Sequence, residues 1–233
     1  MIPIPVKVLM RYLRASSAEQ QALLRAQRYP TPESVTPLRY HSRARSVIAA
    51  YHRGDLSLDD FEAAIALMRA EAKRSSRYIR AELTSNAEVL TNWIAHHAHR
   101  YLLLQEDRTF ELRRLEVEVR AKPNIIATEH EERRLIFFAF GAKTNPSEMR
   151  LLAELAFEVV TPWLRGLRPE HIQVVDRLGT AVRVEHRSPS LASEITIACT
   201  AISQAWPTIQ PPPGWVEGRT GRDSQLSIDW HPE

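Results

Sequence analysis

Residues 113–143 read RRLEVEVRAKPNIIATEHEERRLIFFAFGAK, and the spacing of apolar residues along this stretch decides the fold class. In residues 113–120, Leu115, Val117 and Val119 alternate with Arg114, Glu116, Glu118 and Arg120. A period of two predicts one half-buried strand with a charged outer face. Residues 124–128 read as a second, short strand, and the acidic EHEE at 129–132 as the turn that follows it. Residues 135–140, LIFFAF, are apolar throughout and of strand length, which suits a central strand buried on both sides.

Outward from this core the period changes to that of helices. Upstream, Ser85-Asn86-Ala87-Glu88 has the spacing of a capping box and is expected to open a helix through about Leu104. Val89, Leu90, Trp93, Ile94, His97, Tyr101 and Leu102 make its apolar stripe. Downstream, Asn145-Pro146 places a cap before a proline at the first helical position, so residues 147–160 are expected to be helical. Residues 172–175 and 182–184 read as two strands around the turn Arg177-Leu178-Gly179-Thr180, and residues 188–190 open a last helix to about Trp206.

The first 83 residues read as helices. Ser16-Ser17-Ala18-Glu19-Gln20 offers two overlapping capping boxes, and the three prolines of YPTPESVTP (29–37) break the chain. A helix at 38–53 ends at Gly54, and Ser57-Leu58-Asp59-Asp60 caps another with Phe61, Ile65, Leu67, Met68 and Ala72 on its apolar side. The expectation is a mixed α/β fold: a helical N-terminal region (1–83), an α/β unit (84–206) in the order α-β-β-β-α-β-β-α, and a Pro-rich tail (207–233) that hugs the surface or moves freely.

Composition narrows the function classes. The chain has 233 residues, 44% hydrophobic and 25% charged, enough for a substantial core. With 7 glycines it contains neither a GxGxxG nor a GxxxxGK[ST] pattern. Its single cysteine, Cys199, excludes an intrachain disulfide and a cysteine-rich zinc site, and its apolar surroundings in sequence predict a buried core thiol. No membrane span or secretory leader is read from the sequence, so a soluble, cytoplasmic protein is expected. Net charge is +3. Basic residues cluster at 11–14, 39–45, 73–80 and 113–120, and arginine, which favours forked phosphate contacts, dominates.

Two segments, Lys122-Pro123-Asn124-Ile125-Ile126 and Phe138-Ala139-Phe140-Gly141-Ala142-Lys143, carry a resemblance. Together with the helix–strand–strand–strand–helix–strand succession, they resemble the core of the PD-(D/E)XK nuclease superfamily, the restriction-endonuclease-like fold, over residues 85–206. In that family a Pro-Asp opens the second strand, and an acid, a spacer and a lysine end the third; the acids hold a divalent metal beside the scissile phosphate. Pro123 and Lys143 are in register with that pattern, but Asn124 stands where the aspartate belongs and Gly141 where the second acid belongs. An amide is a poor ligand for a hard cation and glycine is none, so no metal site and no cofactor is expected there.

The resemblance implies a non-catalytic nuclease-like protein that binds DNA or RNA or serves in a nucleic-acid-handling complex. Lys143, Asn124, Arg114 and Arg120 are its candidate nucleic-acid contacts, and no catalytic residue is assigned. One rival is a protein–protein adaptor docking through the N-terminal helices or the C-terminal tail. Another is a metal-dependent nuclease whose ligands have moved to Glu116 and Glu118, which one face of a single strand would share.

Overall fold

Residues 132–139 form the middle strand of a five-stranded sheet, and from Arg134 onward both faces of that strand are buried. The computed structural model describes residues 1–31, 40–141, 145–184 and 188–215. In chain order the elements are β1 (Ile2–Pro5), α1 (Val6–Arg14), α2 (Ser17–Arg28), α3 (Ser42–Arg53), α4 (Leu58–Arg74), α5 (Arg77–His97), β2 (Leu103–Leu104), β3 (Phe110–Arg114), β4 (Val117–Ala121), β5 (Ile125–Glu129), β6 (Glu132–Ala139), α6 (Pro146–Val160), β7 (Ile172–Asp176), β8 (Ala181–Arg183) and α7 (Leu191–Ala205). The fold is mixed α/β, with two sheets among the described residues.

The larger sheet has the order β2-β5-β6-β7-β8, antiparallel except for the parallel β6–β7 pair that α6 connects. Alternation along β6 serves two cores. Leu135, Phe137 and Ala139 face a core built with α1, α6 and α7, whereas Ile136 and Phe138, with Phe140 just beyond the strand, face a core built with α3, α4 and α5. The LIFFAF run is thus buried on both sides, as its composition predicts. His130 (φ 49°) and Glu131 (φ 66°) make the two-residue turn between β5 and β6.

The smaller sheet departs from the sequence reading. Residues 113–120 are not one strand but a hairpin, β3 and β4, that turns at Leu115 (φ 53°). Leu115 is 64% exposed instead of facing inward. The apolar alternation survives on each arm: Leu112 pairs with Val119 and Phe110 with Ala121, all buried, and Val117 is buried as well. A hairpin and a straight strand share the same period, so alternation alone does not separate them. The outer neighbour of β4 is β1, which runs parallel to it and buries Ile2 and Ile4. Pro3 and Pro5 lack N–H groups, which suits the edge position that β1 occupies.

The helix predicted to start at residue 85 begins eight residues earlier, at Arg77, and ends at His97. Asn86 is fully buried inside it. Its Oδ1 accepts from the Ala44 N–H (2.9 Å), and its Nδ2 donates to the carbonyls of Tyr40 (2.6 Å) and Glu82 (2.9 Å). The residues expected to open this helix thus lie in its interior, and Asn86 caps α3. Leu67, placed on the apolar side of α4 by its spacing, is 67% exposed, while Phe61, Ile65, Met68 and Ala72 are buried. The caps at Ser16, Ser57 and Asn145 are where their motifs place them, closed by Glu19, Asp60 and Glu148.

Cys199 is buried, and burial pushes its thiol up to about 11, so it is an inert core residue. No helix among the described residues is long and apolar enough to cross a membrane. Past α7, the chain to Trp215 lies against α2: the Arg28 guanidinium sits over the rings of Tyr29 and Trp206, and Tyr29 meets Trp215 edge-on at 4.9 Å. The rest of the tail, including Trp230, lies outside the described residues.

Candidate functional site

Four cationic or protonatable side chains from three segments converge at the rim where β6 ends. Phe138 marks the place. Its N–H donates to Asn124 Oδ1 (2.7 Å), and its carbonyl accepts from Lys7 Nζ (2.6 Å). The Asn124 N–H in turn donates to the Ile136 carbonyl at 2.8 Å. Pro123, just before β5, has no N–H to offer, so side chains finish the ladder at this rim.

Lys7 reaches the rim because α1 follows β1 directly, without an intervening loop. Arg45 comes from the first turn of α3, behind the Asn86 cap. His41 precedes the same helix; its Nε2 is 3.0 Å from Ser85 Oγ on α5. Arg177 comes from the turn after β7. Burial, with the Arg45 charge next in weight, pulls the Lys7 ammonium down to about 8. Burial followed by Arg45 and Arg177 holds His41 down at about 4, so its imidazole is neutral at physiological pH. Arg45 thus acts on both Lys7 and His41, and Arg177 acts on His41.

The turn that delivers Arg177 is held firmly. Asp176 Oδ1 accepts from the N–H groups of Leu178 and Thr180, both at 2.8 Å. Asn92 Nδ2 donates to the Arg177 carbonyl (3.0 Å), and His97 Nε2 donates to the Gly179 carbonyl (2.8 Å). Gly179 has φ +81°, and a β-carbon there would lie 2.6 Å from the His96 ring. Asp176 is also an acid close to this rim, opposite Ala139 in the strand register, and its Oδ1 is engaged by its own turn.

Among the described residues, no carboxylate is paired with Lys7 or Arg177. A cluster of half-buried like charges raises the free energy of the site, and a bound anion lowers it. The chemistry that matches is an oxyanion, with guanidinium forks and an ammonium as donors.

The other sequence-derived candidates are placed elsewhere. Lys143 lies outside the described residues. Arg120 is on the smaller sheet, paired with Glu118 (2.5 Å) and near Glu111 (3.8 Å). Arg114 is on that sheet too, where it donates to the Arg113 carbonyl at 3.0 Å. Of the described candidates, only Asn124 stands at the rim. Glu116 and Glu118 do not share a face: Glu116 sits in the hairpin turn, 3.4 Å from Ser203, and Glu118 is buried between Arg113 and Arg120. Among the described residues, no group of three or more His, Cys, Asp or Glu side chains is placed to hold a metal ion.

Lys7, His41 and Arg177 escaped the sequence reading of sites. Lys7 has a faint signal in hindsight, as the one charge within IPIPVKVLM. At the opposite end of the sheet a second charged cluster is fully paired. Glu129 takes a fork from Arg100 (2.6 and 3.0 Å) and a third bond from Arg134 (3.0 Å), and Arg100 also reaches Gln173 at 2.9 Å. With every charge satisfied, that end is structural. No protein-family model matches the chain, and no curated protein matches it at a significant level.

Proposed function

We propose that this chain is a non-catalytic nucleic-acid-binding protein on a nuclease-like α/β scaffold, gripping the phosphate backbone at the cationic rim of its larger sheet. One observation carries the reading: Lys7 meets Asn124 across Phe138 at the end of β6, Arg45 acts on Lys7, and Arg45 and Arg177 both act on the neighbouring His41. That is the place where the nuclease resemblance puts its acids. The succession β5, β6, α6, β7 in one sheet supports the resemblance, although residues 113–120, expected as its first strand, form a hairpin in the smaller sheet. Asn124 is occupied in backbone capping, and an amide so engaged offers little to a divalent cation. What the rim offers is positive charge, which binds a phosphodiester without cleaving it.

The test is fluorescence anisotropy with a labelled oligonucleotide over a salt series, beside a gel with magnesium or manganese. Binding that weakens steeply with salt, without cleavage, is expected. Lys7→Ala and Arg177→Ala should each weaken it several-fold across sequences and reduce the salt slope by about one. No binding at low salt, or metal-dependent cleavage, would overturn the proposal.

A further inference from the structure

We infer that the nucleic acid taken by this rim is single-stranded, its bases stacking on Tyr40 and Tyr78 beside the phosphate contacts; this rests on the binding reading proposed above. Tyr40 immediately precedes His41, and the two rings meet edge-on at 5.0 Å, so the tyrosine borders the cationic cluster directly. Its other neighbour is Tyr78 on the first turn of α5, edge-on at 6.4 Å and 54% exposed. Ile79, beside it, is 44% exposed. An exposed aromatic next to a cationic groove is what a strand with unstacked bases uses, because every base has a face to stack. In a duplex those faces are already buried in the helix.

Charge around the two tyrosines separates base from phosphate. Glu82 and Glu88 lie close enough to Tyr40 to raise its hydroxyl pKa, after burial, so a phosphate over Tyr40 would be repelled whereas a neutral base is not. Past Tyr78 the sign reverses again: Lys73, Arg74 and Arg77 are exposed around the α4–α5 junction. Arg80 fixes that junction by donating to the carbonyls of Ala72 and Ser75, both at 3.2 Å. Phosphate-binding charge therefore lies on both sides of a two-ring platform. Asn86, through the Tyr40 carbonyl, ties one side of the platform to the helix that carries the other.

The experiment compares the full chain's affinity for an oligothymidylate of about 16 nucleotides with that for a blunt duplex of equal length, at one salt concentration. The single strand is expected to bind about tenfold tighter or better. Tyr78→Ala should cost the single strand roughly fivefold to a hundredfold and leave the duplex unchanged, while Tyr78→Phe, which keeps the ring, should bind like the parent. Tyr78 is a surface residue, and an unchanged melting temperature shows that the variant folds. Equal affinity for both forms, or a Tyr78→Ala variant that binds the single strand normally, overturns this inference. In that case weakening of both forms by Lys7→Ala would still uphold backbone binding. Binding of neither form overturns both.

Discussion

Lys7 combines two roles at one atom, since its ammonium closes the backbone at Phe138 and contributes charge to the rim. Its depressed pKa has a consequence for binding. In the free protein part of the Lys7 population is deprotonated above pH 8, and an anion bound beside it restores the charged form. Binding thus takes up a proton, and affinity for an oligonucleotide should fall as pH rises through 8, by at most about tenfold per pH unit. Anisotropy titrations between neutral and mildly alkaline pH check this, with Lys7→Met as the variant that flattens the profile. At the other end of the sheet, Arg100 and Arg134 hold the Glu129 carboxyl down to about 2 against the cost of burial. The unfolded state therefore binds a proton first as pH falls, so this contribution is complete above the ordinary carboxylate pKa and is lost between there and about 2. Glu129→Gln leaves the buried Arg100 guanidinium without its anion, while Arg134 keeps Glu132, and should cost about 3–5 kcal/mol, read from denaturant unfolding at neutral pH.

Between elements, the contacts that matter most are made by side chains acting on a neighbouring element's backbone. Asn86 on α5 caps α3, and through α3 it places Arg45 and His41. Asn86→Ala should lower stability by about 1–3 kcal/mol, since it leaves the buried Ala44 N–H without its acceptor, and should weaken oligonucleotide binding as well. The β7–β8 turn offers a sharper test, because it is seated on α5 by Asn92 and His97. Gly179→Ala adds a β-carbon against the His96 ring in a left-handed backbone, at a strain of about 1–3 kcal/mol. If that turn serves to present Arg177, Gly179→Ala and Arg177→Ala should lower affinity to a similar extent, and the double variant should lose no more than either alone.

For the whole molecule, β1 and α1 tie the two sheets together. Ile2, Ile4, Val6 and Leu9 belong to the core that also holds α6, α7 and the inner face of β6, while Lys7 reaches the larger sheet's rim. Removing residues 1–14 would uncover the β4 edge and open that core. The truncated chain is expected to lose its cooperative thermal transition by circular dichroism. A fully retained transition would show the α/β half to be self-sufficient.

The sequence by itself determined the features whose causes are local. The caps at Ser16, Ser57 and Asn145 depend on a side chain and a backbone group three residues apart, and both are written in the motif. Strands β5 and β6 were legible because a continuous apolar run flanked by an acidic turn has few other solutions. The split of residues 113–120 into a hairpin was not legible, because a two-residue turn leaves the alternation intact on both arms. Nor was the role of Asn86, whose capping partners are 42 and 46 residues away. Asn124 was found as the neutral residue at an expected acid position, but only the fold shows its amide spent on Phe138. The charged rim itself was decided wholly by tertiary structure. Lys7, Arg45 and Arg177 each look like ordinary surface cations along the chain, and what gives them a common field is the packing of α1, α3 and the β7–β8 turn around one strand end.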